Sequence, residues 1–306
     1  MRLVFAGTPA FAERCLVRLL EAGHHIALVL TQPDRPAGRG LRSSASPVKR
    51  LALERSLQVR QPQSLREAAI VDELRAAHAD AIVVVAYGHL LPAAVLAIAR
   101  YGAINVHASL LPRWRGAAPI QRSLLAGDQE TGVSIMQLDK GLDTGPLFAQ
   151  RALPIGPDDD FGTLHDRLAS LGAEALTQTL ERIAAGHAQA TPQPERGATY
   201  APKIEKSETQ LNWQQAAAEL ERAVRAFRPA PGAFTRFAGE PIKVWRARVV
   251  PGAGAPGSVL TSEDALCVAC GAGALRLEEL QPAGGRRMTA AEFLRGRRLA
   301  PGTKLE

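Results

Sequence analysis

Cysteine is scarce in this 306-residue chain, and long apolar runs are missing. Only Cys15, Cys267 and Cys270 occur. That is too few for a disulfide framework and predicts a reducing compartment, the cytoplasm. No apolar stretch approaches the roughly 18–20 residues that span a bilayer, so no membrane partner is expected. Arg2–Ala6 already reads as a strand, and no leader peptide is expected ahead of the fold. Internal repeats are absent. The turn Gly7-Thr8-Pro9-Ala10-Phe11 lacks the second and third glycines of a G-x-G-x-x-G fingerprint, and Pro9 removes a backbone donor at the helix start. These gaps argue against a dinucleotide pyrophosphate cradle.

What remains is ordinary for a globular protein: 46% hydrophobic and 22% charged residues. The length suits two domains better than one core. Through the first half, apolar strand-like runs alternate with helical patterns. Arg2–Ala6 and Ile26–Thr31 read as strands around a helix from Ala10 to Ala22, where Phe11, Cys15, Leu16, Leu19 and Leu20 keep helical spacing. Helices are predicted over Val48–Leu57, Val71–Ala77 and Pro92–Arg100, and strands over Ala81–Ala86 and Ile104–His107. Strands apolar on both faces predict an α/β, doubly wound, mostly parallel Rossmann-like domain over residues 1–188. The polar, proline-bearing stretch Gly186–Pro202 reads as extended, and a linker is assigned to 189–207. Helical spacing returns in Trp213–Phe227. Short β-type runs punctuated by Gly and Pro then predict a small OB-like β-barrel over 208–306.

Three stretches carry chemistry. In Ile104–Arg122, Asn105 and His107 stand two residues apart on a strand, so both side chains face one side. An amide can donate to a developing oxyanion, and an imidazole can move a proton near neutral pH, as acyl transfer requires. Alone, the pair reads as a hydrogen-bonded strand end. Downstream, Asp143 lies in the glycine-punctuated loop Asp139–Pro146, where a carboxylate could orient and charge an imidazole. Alone, that loop reads as a turn. The third stretch is Asp34–Arg50, with Arg35, Arg39, Arg42, Lys49 and Arg50 and no acid after Asp34. Five cations on one loop suit a phosphate backbone, or simply a solvated surface.

Taken together, Asn105-Val106-His107-Ala108-Ser109-Leu110-Leu111-Pro112, then Arg115-Gly116-Ala117-Ala118-Pro119, then the Asp143 loop, resemble the folate-dependent formyltransferase superfamily in motif order. The resemblance covers most of the chain. It implies transfer of a formyl group from 10-formyltetrahydrofolate to an amine, with Asn105, His107 and Asp143 catalytic and no metal. It also implies that Ser109, Leu110, Leu111 and Pro112 contribute to the folate site, and that Tyr87, Gly88 and Leu90 wall the pterin pocket.

Within the superfamily, the basic loop resembles the insertion by which methionyl-tRNA formyltransferases hold the acceptor arm of initiator tRNA. Ala201-Pro202-Lys203 and Lys206 resemble the same group's linker. The implied tRNA contacts are therefore Arg35, Arg39, Arg42, Lys49, Arg50, Lys203 and Lys206. Charge agrees in direction. From residue 190 onward there are 17 basic and 12 acidic residues, against 20 and 18 before it, and a basic surface suits RNA. The alternatives are a sugar-nucleotide formyltransferase and an inert RNA-binding protein on the same scaffold. The resemblance implies a monomer. Cys267-x-x-Cys270 has no second Cys or His pair and reads as packing. Trp213 and Trp245 read as core residues before base-stacking ones.

Overall fold

The computed structural model describes residues 1–37, 42–261, 265–297 and 299–306. It divides into two compact units: Met1–Pro119, Glu130–Pro154 and His165–Ala201 form the first, and Ile120–Gln129, Ile155–Leu164 and Pro202–Glu306 the second.

The first unit opens with β1 (Arg2–Gly7), α1 (Ala10–Glu21) and β2 (His25–Leu30). Leu3 to Ala6 are fully buried, as the uninterrupted apolar run demands of a strand covered on both faces. Helix α1 buries Phe11, Ala12, Cys15, Leu16 and Leu19 along one stripe. It ends where Gly23 takes φ +76: the His24 amide reaches back to the Leu19 carbonyl and the Gly23 amide to Leu20, a closure that a Cβ would oppose. The short hairpin β3 (Arg35–Ala37) and β4 (Arg42–Ser44) pairs antiparallel before α2 (Pro47–Glu54). Ser46 caps α2, its hydroxyl accepting from the Lys49 amide at 3.1 Å.

There follow in chain order β5 (Val59–Arg60), α3 (Ala68–Ala76), β6 (Ala81–Val85), α4 (Ala93–Leu96), β7 (Ala103–His107), β8 (Arg115–Gly116), α5 (Pro119–Ala126), β9 (Glu130–Gln137), β10 (Leu147–Pro154), α6 (Phe161–Ala184) and β11 (Tyr200–Ala201), of which α5 from Ile120 and the first turn of α6 fall in the second unit. The main sheet runs β10-β9-β7-β6-β1-β2-β5. Pairing is parallel from β7 to β5 and antiparallel for β7–β9 and β9–β10. The α/β, mostly parallel expectation holds. Helix α4 is much shorter than the apolar pattern over Pro92–Arg100 predicts, because the chain tightens into i→i+3 bonds such as Ile98 to Val95.

The second unit carries α7 (Ala217–Ala226), then β12 (Ala233–Phe237), β13 (Glu240–Val250), β14 (Val259–Thr261), β15 (Leu266–Ala269), β16 (Ala274–Pro282), β17 (Met288–Thr289) and α8 (Ala290–Gly296). All its sheet pairs are antiparallel, in the order β12-β13-β16-β15-β14 with β17 on β16. Its two outer strands are joined by the last residues of the chain. Val259 donates to the Thr303 carbonyl, and Arg236 and Glu306 exchange both backbone bonds. Pairing both edges removes the exposed ladder an open sheet would leave. Trp213 and Trp245 are buried, the first donating Nε1 to Thr235 Oγ1 at 3.0 Å. Cys267, within β15, and Cys270, just after it, are free thiols, and Cys270 is buried. No helix among the described residues is long and apolar enough to cross a membrane.

Candidate active site

Strand β7 lies between parallel β6 and antiparallel β9, with Asn105 opposite Val84 and Met136 and His107 opposite Ser134. That central position buries both side chains, leaving Asn105 8% and His107 5% exposed. Strand β9 runs back toward the start of β7, where Leu138 donates to the Ala103 carbonyl. The loop that follows then returns Asp143 to His107. Its Oδ2 lies 3.6 Å from His107 Nδ1, an ion-pair distance too long for a hydrogen bond. The same oxygen accepts from the Gly116 amide at 2.9 Å, and His107 Nε2 meets the Trp114 carbonyl at 2.9 Å. Both anchoring backbone groups come from the turn after β7. Among the described residues no group hydrogen-bonds the Asn105 carboxamide, which leaves its donors for a substrate oxygen.

Several backbone torsions here are unusual. Asp143 has φ +53 and Trp114 φ +63. A side chain in this left-handed region costs on the order of 1–2 kcal/mol, so the surroundings must hold it there. Gly116 has φ +121, and a Cβ there would lie 2.8 Å from the Ala201 carbonyl oxygen.

The turn from Ser109 to Trp114 contains a cis bond at Leu111–Pro112. Ser109 is fully buried and donates to the Arg113 carbonyl at 2.6 Å, so its hydroxyl braces the turn. Ser134 Oγ accepts from the Leu111 amide and donates to the Ser109 carbonyl. Leu111 is buried, while Leu110 and Pro112 are half-buried. The Asp143 loop is braced by Asp139, which accepts from the Gly141 amide and the Thr144 hydroxyl. Asp139, Lys140 and Gly141 also border a shallow, solvent-open depression with Ala93, Leu96 and Ala97. Tyr87 packs into the core beneath the sheet, among Leu65, Ile70 and Val95. Burial pushes its phenol up to about 12. Gly88 and Leu90 are exposed, Leu90 strongly so at 86%.

The basic loop is only partly within the described residues: Arg39 and the side chain of Arg42 lie outside them. Arg35 is exposed and reaches Gln32, and Arg50 donates to the Ala45 carbonyl. Lys49 differs from the rest. Its ammonium donates to Asp34 at 2.6 Å and to Gln61 at 2.7 Å. Hydrogen bonds from Lys49 and then Gln61 hold the Asp34 carboxyl below the usual carboxylate range. Lys49 therefore ties the stem of the hairpin. In the second unit, Lys203 and Lys206 are exposed.

Four groups to which the sequence reading gave no role of their own hold His107 and Asp143, directly or through one another: the Trp114 carbonyl, the Gly116 amide, the Arg115 guanidinium and Gln193. Arg115 is buried, 8% exposed, and donates twice to Gln193 Oε1. Backbone groups leave no residue-type signature, and Gln193 sits in a stretch whose prolines suggest only a spacer. That stretch is extended as expected but bound down: Thr191 exchanges both backbone bonds with Leu147, and β11 pairs with β8. Among the described residues no group of three or more His, Cys, Asp or Glu could hold a metal ion.

Residues 1–180 match the model of the formyl transferase family, and residues 203–298 match that of the formyl transferase C-terminal domain. The chain is 53% identical to the methionyl-tRNA formyltransferase of Aromatoleum aromaticum, over 100% of this chain and 97% of that protein. Identity to the methionyl-tRNA formyltransferase of Dechloromonas aromatica is 50%, covering 100% and 99%. Among solved structures, it superposes on the N-formyltransferase of Helicobacter canadensis in complex with folinic acid and dTDP-3-aminofucose. There the TM-score is 0.67 at 16% identity, covering 94% of this chain and 100% of that one. On HypX of Aquifex aeolicus in complex with tetrahydrofolic acid the TM-score is 0.66 at 19% identity, covering 96% of this chain and 47% of that one. These two likenesses concern the fold. Matched along both of its parts, and by full-length relatives at half identity, the chain belongs to the formyl transferase family.

Proposed function

We infer that this enzyme moves the formyl group of 10-formyltetrahydrofolate onto the α-amino group of methionine carried by initiator methionyl-tRNA. The observation that carries this is the end-to-end match to relatives named methionyl-tRNA formyltransferase at 53% and 50% identity. The donor supplies a formyl carbon on N10 that an amine can attack. Asn105, whose carboxamide has no hydrogen-bond partner among the described residues, donates to the formyl oxygen as negative charge develops on it, and His107 becomes a second donor once its Nε2 proton leaves the Trp114 carbonyl. Asp143 holds the imidazole in place.

The depression beside Asp139–Gly141 is shallow and open to solvent, with alanine and leucine on one side. In this reading Ser109–Pro112 and the Tyr87–Leu90 segment border the donor. Because Tyr87 is in the core, the latter presents Gly88 and Leu90. Arg35, Arg39, Arg42, Arg50, Lys203 and Lys206 hold the acceptor arm, while Lys49 is tied to Asp34 and Gln61. The enzyme acts in the cytoplasm as a monomer, with a catalytic domain over 1–188, a linker over 189–207 and a tRNA-binding barrel over 208–306.

The test is direct. Incubation with 10-formyltetrahydrofolate and methionyl-tRNA, initiator and elongator separately, should give formyl-methionine on the initiator. Its absence there would overturn the assignment.

A further inference from the structure

In the stretch between Thr191 and Ala201, the side chains of Gln193 and Thr199 bond the segments that flank His107. Gln193 Oε1 accepts from Arg115 Nε at 3.1 Å and Nη2 at 2.8 Å. Its Nε2 donates to the carbonyls of Asp143 and Gly145, both at 2.8 Å. The orientation of this amide is forced, because a guanidinium only donates and a carbonyl only accepts. Six residues on, Thr199 Oγ1 accepts from the Trp114 amide at 2.9 Å, and the Thr199 carbonyl accepts from the Arg115 amide. Trp114 carries the carbonyl that meets His107 Nε2. The two neighbours of the imidazole, Asp143 on one nitrogen and Trp114 on the other, are thus each fixed by this one strap.

We propose that Gln193 is a positioning residue for the reaction, clamping the left-handed Asp143 loop to Arg115 so that the carboxylate stays against His107, with Thr199 doing the same for Trp114. The proposal rests on the function inferred above. It requires a side chain that accepts from Arg115 and donates twice in the other direction, which only an amide of this length does. Glutamate would keep the Arg115 partner, now as an ion pair, but would set an oxygen against two carbonyls. Methionine would keep the volume and lose both contacts.

The experiment compares Gln193→Glu and Gln193→Met with the full wild-type chain. In both, kcat should fall about 10- to 100-fold, the scale of a small misplacement of a catalytic group. KM for donor and for tRNA should stay within about twofold. In an Asp143→Ala background the Gln193 substitutions should cost little more, since residues acting through one contact are not additive. Hydrogen exchange of the 139–147 amides should quicken in Gln193→Glu, which reads the clamp without turnover. Unchanged kcat in Gln193→Glu, an undiminished loss in the Asp143→Ala background, or unchanged exchange would each overturn the proposal. A wild-type chain that forms no formyl-methionyl-tRNA would overturn the function instead, and the exchange measurement would still decide on the clamp.

Discussion

His107 Nε2 lies 2.9 Å from the carbonyl oxygen of Trp114. A carbonyl only accepts, so this nitrogen carries a proton. Nδ1 then faces Asp143 Oδ2 at 3.6 Å, and the ring is held from both ends. An imidazole so constrained presents one fixed edge to whatever occupies the space beside Asn105.

Replacing Asp143 should separate chemistry from binding. Asp143→Ala is expected to lower kcat by at least about 10²-fold, in line with the loss of an orienting carboxylate. Affinity for tRNA should be nearly intact. Steady-state kinetics alongside filter binding would check this, and a parallel loss of tRNA affinity would count against the division of labour.

Asn105 makes a sharper test of charge stabilisation. Among the described residues its carboxamide has no hydrogen-bond partner, so Asn105→Ala removes no described hydrogen bond. A drop in kcat of roughly 10²–10³-fold with an unaltered melting temperature is expected. A drop below about threefold would remove Asn105 from the mechanism.

Gly116 is squeezed between the site and the strap. Gly116→Ala places a Cβ 2.8 Å from the Ala201 carbonyl oxygen at φ +121. Denaturant titration should show roughly 1–3 kcal/mol of destabilisation. Turnover should fall as well, because the Gly116 amide that anchors Asp143 must move.

Charge on the hairpin loop should be read in the salt dependence of tRNA binding. Neutralising Arg39 and Arg42 together should lower the slope of log affinity against log salt by roughly 1–2, about one per phosphate contact. A small-amine acceptor, as a sugar-nucleotide formyltransferase would use, would leave activity insensitive to the same pair.

One pH effect follows from α8. Thr289 and Glu292 cap this helix reciprocally, and Arg286 bonds Glu292 at 2.8 Å. The hydrogen bond from Arg286, then that from the Thr289 amide, holds the Glu292 carboxyl down at about 2 against an ordinary 4.5. A lowered value means the stabilisation is present above pH 4.5 and lost as pH falls toward 2. The melting temperature of Glu292→Gln should therefore trail wild type at pH 6 and approach it at pH 3. A constant gap would refute the cause given.

Some of this was legible in the chain and some was not. Asn105 and His107 could be paired because a strand returns every second side chain to the same face. Asp143 could be added because three motifs stood in a recognisable order. Lys49 could not be told from its neighbours Arg35 and Arg50, since its partner Gln61 is twelve residues away, past helix α2. The hydroxyl of Ser109 and the phenol of Tyr87 turned inward, which residue type alone does not reveal.

By itself the sequence determined the two-part architecture, through apolar runs and periodicity that act over a few residues. The trio and the role of the basic loop came from motifs that resemble the formyltransferase superfamily, since local patterns left each of them ambiguous. Only the tertiary structure decided how the trio is held. The Trp114 carbonyl, the Gly116 amide and Gln193 act through hydrogen bonds of fixed direction between residues up to 78 positions apart. The chain can make such bonds only once the sheet has brought β7, the Asp143 loop and the strap together.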